Sequence, residues 1–428
     1  MNRKFKREIR KDKDLVKELY SIIVKYLPNL LNMFNNLTDI RHDSYVTYEM
    51  KTICVTRLFG LLCGITSMTN ITDEFNSEVA IKNISEIAKQ ELIELPHHDT
   101  ISDVFENLSL DELRNIQKYI VKTLIRSKMF DKFKYKSYFQ LVVDGTGLSN
   151  HDYNLNGNCL FREHSGGVIS YYKFVLEAKL VIGSIVISLD SEFIENNDRF
   201  TDIQDCETKA FKRMAKRIKQ NYPKQKFIIT GDALYATTPI INICEKNKWK
   251  YIFNLKQDRL KTVYEEFMDN VNNHNETVHT DYFLSTNYTW NNNTFNVLMY
   301  KEKKGSKTTI FKYITNLKVT NDNIKSIIFL GRQRWRIENE GFNEQKNGTY
   351  NITHLSSRND TAMKAHYFFI QFAHTIRQLL EKGRKLIKDL RLKIKEVSAL
   401  LIKTLTSTTS NLSKLETNFQ LRFDDSSI

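Results

Sequence analysis

The chain has 428 residues, more than one compact domain usually holds, and 41% of them are hydrophobic, which excludes a disordered polypeptide. Its formal net charge is +14, with a sequence pI of about 9.3. Such a surplus points to a polyanionic partner, nucleic acid first because phosphate neutralisation releases counterions, with an acidic membrane surface as the rival.

The opening MNRKFKREIRKDKD holds seven basic side chains against three acidic ones and has no apolar stretch of signal-peptide type behind it. It reads equally as a DNA-contacting arm or a solvated tail. Residues 1 to about 130 read as helical. Leu15, Leu19, Ile22 and Tyr26 recur at helical spacing, and Pro28 closes that segment. The most apolar window, 53–65, is interrupted by Arg57 and is too short to span a bilayer, so it reads as a buried helix and a membrane protein is excluded. Ser109 and Glu112 form a capping-box pattern ahead of Leu113, Ile116 and Ile120. The five cysteines are scattered without a CxxC pair, which argues against structural zinc and fits a reduced, cytoplasmic setting.

The character changes near residue 137. SYFQLVVDGTG (137–147) predicts a strand ending in a glycine-rich turn, and 171–181 and 183–193 predict two more strands joined by a tight turn. A helix over 206–220 follows, then a short apolar strand within 226–236, a helix over 239–249 and a strand over 250–255. An early hairpin followed by alternating helices and strands implies an α/β fold, a mixed sheet flanked by helices. Residues 256–320 interrupt the pattern with alternating segments that predict a small β-rich insertion. Helix returns over 323–346. The tail from 361 is helical, with a stripe through Ala362, His366, Phe369, Ala373, Ile376 and Leu380. From Arg377 to Lys403 it carries nine basic residues against three acidic ones.

Two acids stand out by position. Asp144 follows the run LVV, and Asp232 follows FIIT and a glycine. Each alone is an ordinary acid after a strand, but two neighbouring strands would bring them together. The segment RQRWRIENEGFNEQKN (332–347) adds Arg334 and Glu338, four apart and so on one helix face, which periodicity alone reads as an intrahelical ion pair. Glu340 and Glu344 are rivals to Glu338. Asp190, Glu192 and Glu177 lie on early strands. His97 and His98 read as local structure, and Trp335 as either core or a base-stacking group. Neither a phosphate-binding P-loop nor a dinucleotide glycine fingerprint is present.

The string Arg334-Trp335-Arg336-Ile337-Glu338 resembles the third-acid signature of the DDE transposases of insertion sequences. In one branch it is written tyrosine, two residues, arginine, three residues, glutamate, six residues, lysine. Arg334 and Glu338 match it. The signature tyrosine falls on Gly331, and the signature lysine falls on Gln345, with Lys346 one place later. VVDGTG and TGDALYA resemble the first two acids in order, and the longer second interval resembles the branch whose core is split by a β-rich insertion. The resemblance covers roughly 95–380. It implies a ribonuclease-H-like catalytic domain over 131–255 and 321–358, split by the insertion at 256–320. A helical DNA-binding and assembly region at 1–130 and a helical basic region at 359–428 would flank it. It further implies Asp144, Asp232 and Glu338 as the catalytic and metal-binding triad, with two Mg²⁺ or Mn²⁺ ions. Arg334, Arg336 and Lys346 would contact DNA. The expected partner is double-stranded DNA, bound by a homodimer on paired ends. The implied activity is cleavage of transposon ends and their transfer to target DNA. The alternatives are a nuclease of the same fold that does not join strands, and an inactive DNA-binding relative.

Overall fold

A computed structural model describes residues 14–196, 203–273, 281–390 and 392–424. The basic segment before Asp14 lies outside them. Among the described residues seven α-helices come first, from Leu15–Tyr26 to Leu110–Arg126. Asp14 caps the first by accepting the Lys17 N–H, and the helix stops before Pro28, as the pattern predicts. The apolar window forms the helix Met50–Cys63, buried at every residue but Lys51, Arg57 included. Among the described residues no single helix is long and apolar enough to cross a membrane. The predicted capping box is half formed. Ser109 accepts the Glu112 N–H, but the Glu112 carboxylate turns instead to the N–H and hydroxyl of Thr38.

The sheet begins with β1 (Phe139–His151), β2 (Leu160–Glu163), β3 (Ile169–Ile182) and β4 (Ile185–Ile194). After the helix Glu207–Asn221 come β5 (Phe227–Gly231), the helix Thr238–Asn247, and β6 (Lys250–Asn254). Apart from the short β2, which was not expected, these match the predicted order. A helix over Lys261–Asn273 was not expected; β7 (Tyr282–Trp290), β8 (Asn293–Lys304) and β9 (Lys307–Thr315) follow it. The nine strands form one mostly antiparallel sheet in the order β2-β3-β1-β5-β6-β9-β8-β7, with β4 also on β3. The parallel pairings are β1 with β5 and β5 with β6. The β-rich segment joins this sheet. β9 pairs with β6, so the hairpins prolong the sheet.

Two expectations fail locally. β1 does not end in a glycine turn at 145–147. β5 pairs with it only from Phe139 to Val142, whereas β3 pairs on to His151, so the strand continues past Asp144 on one-sided support. The predicted helix over 323–346 is broken. An α-helix runs Ile324–Arg332, a turn follows, and Ile337–Gly348 is a π-helix.

The helix Asp360–Gln378 is buried along its length from Ala362 onward. It packs on the Met50–Cys63 and Leu110–Arg126 helices and on β4. Long polar ties join the two ends of the chain. Arg377 donates to the Leu62 carbonyl at 3.2 Å, Asn83 to the Leu405 carbonyl at 2.8 Å, and Arg384 to Glu18 at 2.7 Å. The apolar stripe Ala362 to Leu380 is thus spent inside the protein. One hydrophobic cluster reaches from Leu15 to Phe423.

Candidate active site

The site grows from the two parallel neighbours β1 and β5. Val142 stands opposite Thr230, so two residues further on Asp144 and Asp232 leave the paired region at the same level. Beyond that level β1 keeps its bonds to β3 but loses β5. A crevice therefore opens at the carboxyl end of parallel strands, where ligands of open α/β sheets bind.

Local bonds fix both acids. Asp144 Oδ1 accepts the Gly145 N–H at 3.0 Å. Asp232 caps the short turn Ala233–Tyr235, its Oδ1 accepting the Leu234 N–H at 2.8 Å. Burial pushes the Asp144 carboxyl up to about 6; the Arg334 charge opposes this, while the charges of Asp232 and Glu338 add to it.

Arg334 links the third acid to the first. Its Nη1 donates to Asp144 Oδ2 at 3.1 Å and to Glu338 Oε1 at 2.8 Å. The ion pair expected from Arg-x-x-x-Glu spacing is real, and it also reaches across to the sheet. Burial works against the guanidinium charge, but Glu338, Asp144 and Asp232 together hold Arg334 above its ordinary range. No three of these carboxylates crowd to within 4.8 Å of one another; among the described residues that spacing occurs only in His97, His98 and Asp99. There His98 contacts the Thr72 hydroxyl at 3.0 Å and His97 the Asp99 carboxylate at 3.3 Å, far along the chain from the sheet acids.

The π-helix gives the two lysine-position candidates different surroundings. Its i→i+5 bonds widen the turn, so residues sharing a face differ from those on an α-helix. Gln345, which an α-helix would set near Glu338, is fully buried and donates to Gln371 at 2.9 Å, with the His374 ring at 3.0 Å. Lys346 is the residue that senses Asp144. Partial burial lowers its ammonium, and the Asp144 charge opposes that shift.

Other expectations sort as follows. Arg336 is only 5% exposed and is bonded to Gln333 and to Glu340 at 3.3 Å. That side chain is engaged by neighbours on its own segment, and its expected DNA contact is not tested by these bonds. The same pair removes Glu340 from the Arg334 side. Glu344 faces His374 at 3.6 Å. Asp190 and Glu192 are bound by Arg217 at 2.7 and 2.6 Å, and Glu177 by Lys179 at 3.4 Å. Trp335 is 39% exposed beside Arg334 and does not enter the core.

Sequence reasoning missed one carboxylate. Glu207, the first residue of its helix, accepts from the Tyr235 hydroxyl at 2.9 Å. Its carboxylate lies against Gly145, where a Cβ would come within 2.8 Å of the Glu207 carboxyl carbon. Burial pushes Glu207 up to about 7; the Tyr235 bond opposes this, and the charges of Asp144 and Asp232 add to it. The segment QDCETKAFKR carried this residue, but nothing in its spacing marked it.

A family model described as transposase DDE domain group 1 matches residues 191–419, more than half of the chain. The protein belongs to the DDE transposases. A second model, described as DDE_Tnp_1-associated, matches residues 31–119. A search of curated proteins gives no match. The transposase match includes Asp232 and Glu338, while Asp144 lies between the two matched stretches.

Proposed function

We propose that this transposase cuts the ends of its element and joins the freed 3′-ends to target DNA, using Asp144, Asp232 and Glu338. The observation that carries the reading is the equal level of Asp144 and Asp232 on adjacent parallel strands, with Arg334 tying Asp144 to Glu338. The strand arrangement β4-β3-β1-β5-β6, with β1, β5 and β6 parallel and β3 reversed, supports a ribonuclease-H-like catalytic core.

The donor set fits hard divalent cations, Mg²⁺ or Mn²⁺. It is all oxygen, and Asp232 and Glu207 have no basic partner in an ion pair among the described residues. Asp144 and Asp232, with Glu338, would hold them. When bound, such ions lower the pKa of an attacking water or hydroxyl and stabilise the leaving oxygen at phosphorus. The protein's own groups do the rest. Arg334 now spans Asp144 and Glu338 with one nitrogen, the place of a counter-charge, and its guanidinium is suited to a DNA phosphate once that place is taken. Lys346 would contact the strand near the cut. Trp335, exposed beside them, offers a face on which a base can stack.

The N-terminal helices to about 130 and the region from 359 would serve end binding and assembly around the catalytic core, as a homodimer on paired ends. Because the 362–380 stripe is internal, other surfaces would have to join the two copies. A Mg²⁺-dependent nicking assay on supercoiled DNA carrying the element ends tests cleavage, and transfer of a labelled end to a second DNA tests joining. Nicking without transfer would reduce the reading to a nuclease; binding without nicking would reduce it to a DNA-binding relative.

A further inference from the structure

We propose that Glu207 is a fourth metal-holding carboxylate of this site, set beside Asp144 and Asp232 by the buried hydroxyl of Tyr235. The inference rests on the metal-dependent reading above.

The first ground is how the acids elsewhere in the interior are treated. A charge withdrawn from water must be paired or must coordinate a metal. Glu177 has Lys179 at 3.4 Å, Asp190 has Arg217 at 2.7 Å, Glu381 has Arg377 at 2.5 Å, and Asp360 has Lys173 at 2.7 Å. Glu207 is part-buried, yet among the described residues no Lys, Arg or His forms an ion pair with it. Its neighbours in charge are Asp144 and Asp232, which repel it. An acid placed among acids with no base is unfavourable until a cation arrives.

The second ground is that the backbone makes room for this arrangement on both strands. A side chain at Gly145 would strike the Phe174 ring, its Cβ falling 2.4 Å from Cε1, and Glu207, 2.9 Å from Oε1. A side chain at Gly231 would strike the Tyr235 ring, its Cβ falling 2.7 Å from Cδ2. So the glycine after the first acid admits the Glu207 carboxylate, and the glycine before the second admits the ring that holds it. Tyr235 lies on the turn that Asp232 caps, and its hydroxyl takes Oε2. Oε1 is the oxygen beside Gly145, the residue that follows Asp144. One carboxylate oxygen is oriented by a hydrogen bond and the other is left beside the glycine that follows Asp144, the arrangement by which outer groups orient metal ligands.

Binding of Mn²⁺ to the full-length chain without DNA tests this, read from the free-ion electron paramagnetic resonance signal during titration. The expectation is saturable binding by the wild type and its loss in Asp144→Asn and Asp232→Asn. Glu207→Gln should weaken binding about tenfold or more, and Tyr235→Phe should weaken it less. Wild-type affinity in Glu207→Gln overturns the assignment while leaving the triad intact. Absence of saturable binding by the wild type, or wild-type binding in both aspartate variants, overturns the metal reading and this inference with it. If circular dichroism shows Glu207→Gln unfolded, Glu207→Asp replaces it. That variant keeps the charge but withdraws the oxygens by one methylene, and unaltered affinity there likewise overturns the assignment.

Discussion

The interior between the sheet and the Asp360–Gln378 helix and the crevice at the ends of β1 and β5 both contain acids, and they handle them in opposite ways. Behind the sheet, Glu177 is completely buried but meets Lys179, and also accepts from the Ser188 and Tyr367 hydroxyls at 2.6 and 2.9 Å. In the crevice, Arg334 pairs with Asp144 and Glu338 only, and among the described residues Asp232 and Glu207 have no ion-pair partner. The first region spends its charge on holding the fold. The second keeps a surplus of negative charge, which is the condition for taking up a cation. Substitutions should therefore separate the two: stability lost behind the sheet, activity lost in the crevice.

The largest effect belongs to the crevice. Asp144→Asn and Asp232→Asn should each lower Mg²⁺-dependent nicking by on the order of 10³-fold or more, since metal stabilisation of the transition state is worth several kcal/mol. Their melting temperatures in metal-free buffer should equal or exceed that of the wild type, because each removes a charge that its neighbours repel. A variant that nicks normally would reassign the site, and one that melts well below the wild type would place that acid with the structural pairs.

Next comes the scaffold. Glu177→Gln leaves the Lys179 ammonium buried without its carboxylate, and breaking a buried pair from one side costs roughly 3–5 kcal/mol. Denaturant unfolding should show that loss, while Mn²⁺ affinity of the folded fraction stays at the wild-type value. A fall in affinity with unchanged stability would erase the distinction between the two regions.

Arg334→Gln should give a smaller change of the opposite sign. A partly exposed ion pair is worth roughly 0.2–1 kcal/mol, so removing this internal competitor should raise Mn²⁺ affinity by up to about fivefold. Nicking should fall all the same, because the phosphate contact goes with it. Weaker Mn²⁺ binding in this variant would show that Arg334 assembles the ligands and does not compete with the cation.

The smallest effect tests the seam between the N- and C-terminal helices. His366 is buried, and burial, aided by the Arg57 charge, drives its pKa well below 6.5. The folded protein then keeps His366 neutral while the unfolded chain takes up a proton. Its contribution to stability is fully present above about pH 6.5 and is lost as pH falls below that value. Denaturation midpoints between pH 7.5 and 5.5 should decline more steeply for the wild type than for His366→Asn. Parallel declines would show that this histidine is not protected.

The legible part of the molecule was the part governed by local pattern. Apolar runs marked the strands around Asp144 and Asp232, and Arg334 with Glu338 stood at a spacing that a helix makes close. The buried nature of the 53–65 window also followed from composition, Arg57 notwithstanding. What the pattern could not reveal depends on pairing at a distance. β1 runs past Asp144 because β3 continues where β5 stops. The predicted insertion joins the main sheet because β9 finds β6. The apolar stripe after Asp360 could have served a partner chain, and only its packing on Met50–Cys63 shows that it does not. Gln345 and Lys346 exchanged expected places because the helix there is wound as π, which no periodicity rule anticipates. Glu207 escaped notice because its meaning comes from Gly145 and Tyr235, neither of them near it in sequence.

The central claim is that a divalent cation binds between Asp144 and Asp232. Crystals of the full chain grown with Mn²⁺ and measured near the manganese absorption edge would test it most directly. The account predicts an anomalous peak at roughly 2.0–2.4 Å from carboxylate oxygens of both aspartates, the range for hard cations on oxygen ligands. A peak found only at His97, His98 and Asp99, or none near the two strand aspartates, would contradict it.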